Sequence, residues 1–102
     1  MSKYKVIVSE KATRMMIEHA LFLDNVSPKA ADRFVDQFEE AVLSLEDNPE
    51  RYPWVDEDYI PRYKYRRMLF QKRYMVFYQL REKEVLIDYV LDTRQNLKAL
   101  FT

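Results

Sequence analysis

The chain has 102 residues, 48% hydrophobic and 15% aromatic, with 17 basic side chains set against 17 acidic ones. That is material for one domain with its own core. The absence of cysteine excludes zinc ribbons, thiol redox chemistry and a disulfide framework, and the absence of glycine excludes phosphate-cradling loops of the Walker or dinucleotide type. No apolar run nears the roughly 18–20 residues of a membrane span. The start Met1-Ser-Lys-Tyr-Lys lacks the apolar stretch of a signal peptide, so a cytoplasmic protein without a membrane partner is expected.

Tyr4 to Val8 alternates as a short, largely buried strand. Ser9 is suited to cap a helix from Glu10 to about Asn25, where Ala12, Met15, Met16, His19, Ala20, Leu23 and Val26 recur at helical spacing. Ser27-Pro28 then stops one helix and starts the next, Pro28 taking the first-turn position where its missing N–H costs nothing. The second helix carries Ala30, Ala31, Phe34, Val35, Phe38, Ala41, Val42 and Leu45 on one stripe and should end near Asp47, ahead of Pro49. So short a link predicts an antiparallel helical hairpin. Asn48 to Pro61 is a long connection whose Tyr52, Trp54 and Tyr59 argue that it is tied down.

The last third predicts three strands, Lys64–Phe70, Tyr74–Arg81 and Glu84–Asp92. A two-residue turn at Glu82-Lys83 pairs Arg81 with Glu84, Leu80 with Val85, Tyr78 with Ile87, Val76 with Tyr89 and Tyr74 with Leu91. That side should take the helices. The other side, with Gln79, Phe77 and Met75, should be open or half open. A two-residue turn at Gln71-Lys72 puts Lys64 and Arg66 on the open side, and a slip of one residue exchanges Arg66 for Arg67. The fold class expected is α+β, with two N-terminal antiparallel helices on one face of a small antiparallel sheet built from the N-terminal strand and a three-strand meander. Residues 1–102 are read as one domain.

Charge is gathered between Arg62 and Tyr74, where six residues are basic (Arg62, Lys64, Arg66, Arg67, Lys72, Arg73) and none is acidic. Such a strand reads as a protected sheet edge or as an anion-binding surface. Arg94, just past the last strand, favours the second reading if the short strands bring it near Arg66 or Arg67, because guanidinium groups donate paired hydrogen bonds to phosphate. His19, the one histidine, lies on the apolar stripe of its helix and reads as packed or at a boundary; no serine–histidine–acid or metal cluster can be assembled around it. No cofactor or metal is expected. Met15, Met16, Met68 and Met75 read as packing, and Asp56-Glu57-Asp58 as a solvated turn or an acidic wall beside the basic segment.

The succession of Leu45-Glu-Asp-Asn-Pro-Glu-Arg-Tyr-Pro53, Tyr65-Arg-Arg-Met-Leu69, Tyr74-Met-Val-Phe-Tyr-Gln-Leu80 and Val85-Leu-Ile-Asp-Tyr-Val-Leu-Asp-Thr-Arg-Gln95 resembles the RelE/ParE superfamily of toxins from bacterial type II toxin–antitoxin systems. The resemblance implies a growth inhibitor neutralised by a cognate antitoxin, with which it forms a hetero-oligomer. It also implies one of two targets. RelE-like members cut mRNA on the ribosome as mRNA interferases, using basic residues on the scissile phosphate; ParE-like members poison DNA gyrase. An inactive module that only binds its antitoxin is a further alternative. Carried onto this chain, the resemblance marks Arg66 or Arg67 together with Arg94 as catalytic candidates, and Lys64 and Arg73 as substrate contacts. The tail Leu97-Lys-Ala-Leu-Phe-Thr102 departs from the nuclease pattern: it offers neither histidine nor tyrosine. A general acid–base pair contributes about 10²–10⁴-fold, so its absence argues against strong nuclease activity.

Overall fold

A computed structural model describes residues 3–101. The elements run β1 (Lys5–Val8), α1 (Glu10–Val26), α2 (Pro28–Ser44), a 3₁₀ turn at Pro49–Arg51, β2 (Arg66–Phe70), β3 (Tyr74–Arg81), β4 (Glu84–Asp92) and α3 (Leu97–Phe101). The four strands form one sheet in the order β1-β4-β3-β2. The α+β class, the helical hairpin and the antiparallel meander are as the sequence predicts. One detail differs: β1 runs parallel to β4, so the sheet is mixed. Parallel pairing needs a long crossover, and the helical hairpin, the long connection and two strands lie between β1 and β4 in the chain.

Serine chemistry sets the hairpin. The Ser9 hydroxyl accepts from the Ala12 amide at 3.0 Å, capping α1. Ser27 serves both helices: its amide donates to the Leu23 carbonyl at 2.8 Å and its hydroxyl accepts from Ala30 at 3.3 Å. Beyond Ser44 the amides of Leu45, Glu46 and Asp47 each reach back three residues, and Asn48 turns left-handed (φ 49°) before Pro49.

The two faces of the sheet are covered differently. On the first, Met68, Phe70, Tyr74, Val76, Tyr78, Val85, Ile87 and Val90 pack with Ala12, Phe34, Phe38, Ala41 and Leu45 of the hairpin. The second face is closed, where the sequence reading left it open. Tyr65, Met75, Phe77 and Leu91 are buried there with Val55 and Ile60, and Tyr59, Tyr89, Leu97 and Phe101 pack onto them. The cover comes from the long connection and from α3, which the strand pattern did not reveal. Phe101 sits with its ring centroid 4.5 Å from Tyr89 and 6.1 Å from Phe77.

Register explains two further corrections. From Arg81↔Glu84 to Tyr78↔Ile87 the pairing is as expected, but a bulge then skips Asp88, giving Phe77↔Tyr89, Val76↔Val90 and Tyr74↔Asp92. Beyond the bulge the faces exchange, so Val90 joins the helix-side core and Leu91 the other. The Asp88 carboxylate accepts from Gln79 Nε2 at 2.7 Å and from the Tyr65 hydroxyl at 3.2 Å, which gives the bulged residue its partners. Between β2 and β3 the connection has three residues, not two: Phe70 pairs with Tyr74, while Gln71 and Lys72 both adopt positive φ (53° and 61°). This is the one-residue slip. Arg66 lies opposite Tyr78 on the helix side, and Arg67 lies opposite Phe77 on the other.

Candidate functional site

Arg66 is held inward. One of its terminal nitrogens donates to the Glu50 carbonyl at 2.9 Å and to the Tyr52 carbonyl at 2.6 Å, and its guanidinium carbon lies 4.0 Å from the centroid of the Trp54 ring. Its Nε is buried without a hydrogen-bond partner. Alongside, the Tyr78 hydroxyl donates to the Pro49 carbonyl at 2.6 Å. Burial pushes the Tyr78 phenol well above its ordinary pKa. These contacts fasten the segment from Pro49 to Trp54 across the end of the sheet. Arg66 therefore closes a loop and presents no free fork to a ligand.

Arg67 is exposed on the second face, where its backbone amide donates to the Pro53 carbonyl at 3.0 Å and it lines a recess of about 170 Å³ with Trp54, Val55, Asp56, Glu57, Phe77 and others. Two acidic residues, Asp56 and Glu57, share that recess. Lys64 precedes β2, is exposed, and places its ammonium 5.3 Å from the Tyr65 ring centroid.

Arg94 and Arg73 occupy the opposite end of the sheet. Asp92 receives Arg94 through both Nε (3.2 Å) and a terminal nitrogen (2.9 Å), and also accepts from the Arg94 amide. This bonding from Arg94 draws the Asp92 carboxyl below its usual range, and Asp92 in turn raises Arg94. The Thr93 amide donates to the Arg73 carbonyl at 2.7 Å, tying the end of β4 to the β2–β3 turn. Arg67 shares a row with Phe77 and Tyr89, three residues short of Asp92. At about 3.3 Å per residue this separates the two rows by roughly 10 Å, and Arg94 lies further on. Arg94 thus groups with Arg73, apart from Arg66 and Arg67.

One phenol does approach the Arg73–Arg94 end. Tyr74 is buried, and its hydroxyl feels Asp92, Arg73 and Arg94 together, yet burial dominates and pushes its pKa upward. A phenol so shifted stays protonated and is a poor base at neutral pH. His19 packs edge-on to Tyr74, with centroids 5.3 Å apart, but its Nε2 lies 3.0 Å from the Val90 carbonyl. That carbonyl can only accept, so Nε2 carries the hydrogen and the imidazole is held as a packed residue, as its position in the sequence suggested.

Two residues that linear reading did not place at a site belong to this end. A cleft of about 610 Å³ opens between the tip of the helical hairpin and the β2–β3 turn, lined by Leu23, Ala30, Arg33, Lys72, Arg73, Tyr74 and neighbours. Arg33 reads in sequence as one of many polar residues on the outside of α2; only the fold sets it opposite Lys72.

The helical hairpin on a strand-and-meander sheet, with basic residues at both ends of the meander, is the small α+β architecture that the resemblance to the RelE/ParE superfamily implies. The match to a family described as the ParE toxin of the type II toxin–antitoxin system, parDE, spans residues 6–97. The chain belongs to that family, which implies a cognate antitoxin as its partner. Comparison with curated proteins finds no match.

Proposed function

We propose that this toxin inhibits growth in the ParE manner, by binding and poisoning DNA gyrase, and not by cutting mRNA on the ribosome. The observation that carries the reading is the dispersal of the arginines. A phosphoryl-transfer site needs its charges converged on one phosphate within hydrogen-bond reach. Here Arg66 is bonded to main-chain carbonyls, Arg67 faces the second side, and Arg94 is paired with Asp92 at the far end. The two groups nearest that far end capable of moving a proton, Tyr74 and His19, are respectively raised by burial and bonded to a carbonyl.

A protein target needs a surface instead, and α1 supplies one. Ile17 and Leu21, one helical turn apart on its outer side, are 45% and 61% exposed. Apolar side chains left uncovered on one helix face mark a contact surface. The reading is tested by adding purified toxin to gyrase with relaxed plasmid and, separately, to ribosomes translating a defined mRNA. Supercoiling should be inhibited and the mRNA left intact. Leu21→Arg should abolish the inhibition while the protein stays folded. Cleaved mRNA with unimpaired supercoiling would reverse the assignment.

A further inference from the structure

The cleft between the hairpin tip and the β2–β3 turn is basic. Its charged lining is wholly basic: Arg33 from α2, and Lys72 and Arg73 from the turn. Among the described residues none of these three takes part in an ion pair, whereas Arg94 nearby does. Leu23, Ala30 and Tyr74 supply its apolar lining. In a chain with no net charge, three uncompensated cations around one concavity repel one another. The turn that carries Lys72 holds two successive non-glycine residues at positive φ, a conformation that costs about 1 kcal/mol or more per residue. The hydrogen bond from Thr93 to Arg73 fixes the turn against the end of β4.

We infer that this cleft receives an acidic segment of the antitoxin, its carboxylates meeting Arg33, Lys72 and Arg73 and an apolar side chain seated on Leu23, Ala30 and Tyr74. The alternative anion is a nucleic-acid phosphate, and the surroundings disfavour it. Strand-tracking sites need a continuous basic groove, and Lys64 and Arg67 lie at the other end of β2, with Asp56 and Glu57 beside Arg67. An isolated basic cluster with an apolar lining is instead the pattern of a protein-binding hot spot, in which arginine and tyrosine anchor a partner's side chain. The site and its chemistry come from the cleft alone; only the origin of the segment rests on the toxin reading.

Amide chemical shifts of the full chain provide the test, titrated with three probes: a synthetic peptide alternating Glu and Leu, the same peptide with Gln for Glu, and an oligothymidylate. The acidic peptide should move the amides of Ala30, Arg33, Lys72, Arg73 and Thr93, the Gln peptide should not, and about 0.5 M salt should weaken the effect. Movement of these amides by the oligothymidylate and not by the acidic peptide would overturn the inference, as would movement confined to other residues or none at all. Arg33→Glu and Lys72→Glu then fix the source. Each should weaken capture by the antitoxin encoded beside the toxin by about tenfold or more, with gyrase inhibition retained. Unchanged antitoxin binding, or gyrase inhibition lost with the antitoxin binding intact, would overturn it. A toxin that fails to inhibit gyrase from the outset, yet loses its antitoxin on charge reversal, would sink the gyrase reading and leave this one standing.

Discussion

The two ends of the meander use arginine in opposite ways. At the start of β2, Arg66 turns inward to the Glu50 and Tyr52 carbonyls and lies against Trp54, holding a long connection in place. At the far end Arg73 lines an open cleft, and Arg94, with a side chain 64% exposed, is steadied by Asp92. Both ends read as basic in the sequence. What separates them is whether backbone carbonyls come within reach, and the chain delivers those carbonyls at only one end. Clustering of positive charge in a sequence is therefore no measure of a binding site until the internal acceptors have been found.

Substitutions that separate the two uses should fall in a definite order. Arg66→Ala removes two charge-assisted hydrogen bonds and a cation–π contact at a partly exposed site, and should lower unfolding free energy by about 2–3 kcal/mol. Denaturant titration reads this directly; a variant as stable as the parent would show that Arg66 is free for ligand. Tyr78→Phe loses only the buried bond to Pro49, with an expected loss of about 1–2 kcal/mol. It should also blunt alkaline unfolding. The folded phenol titrates above the unfolded one, so its contribution is complete below about pH 10 and is lost as pH rises beyond it. A Tyr78→Phe protein with the same alkaline profile as wild type would contradict that assignment.

Arg94→Ala should lower stability near neutral pH only slightly, by well under about 1 kcal/mol, since exposed ion pairs contribute little. That small difference should vanish in acid. Arg94 depresses the Asp92 carboxyl, so the pair's contribution is present above the unfolded carboxylate pKa near about 4 and fades as pH falls through the lower folded value. Thermal melts of wild type and variant should converge at the acid end of that window. Melts that stay apart there would mean that Arg94 stabilises the fold through something other than Asp92.

Much of the architecture was legible because each signal was local. Ser9, Ser27 and Pro28 mark helix ends by their own chemistry, and runs rich in aromatic and branched aliphatic residues mark β3 and β4. Register and cover are set less locally. The bulge at Asp88 and the three-residue turn at Gln71–Arg73 each shift register by one residue, and no composition rule announces them without glycine. The second face reads as open in the sequence because its cover, Val55, Ile60, Leu97 and Phe101, comes from segments with weak patterns of their own. Leu97 and Phe101 are spaced one helical turn apart, which was the available clue. Arg33 entered the cleft through tertiary contact alone, beyond the reach of any linear motif.

The two targets differ in what fails first in a cell that makes this protein. Parallel pulse-labelling of DNA, RNA and protein after induction, with the antitoxin absent, measures that order. Gyrase poisoning predicts that DNA synthesis collapses and double-strand breaks accumulate while protein synthesis persists for a time. An immediate stop in protein synthesis, with fragmented mRNA and intact chromosomes, would contradict the account.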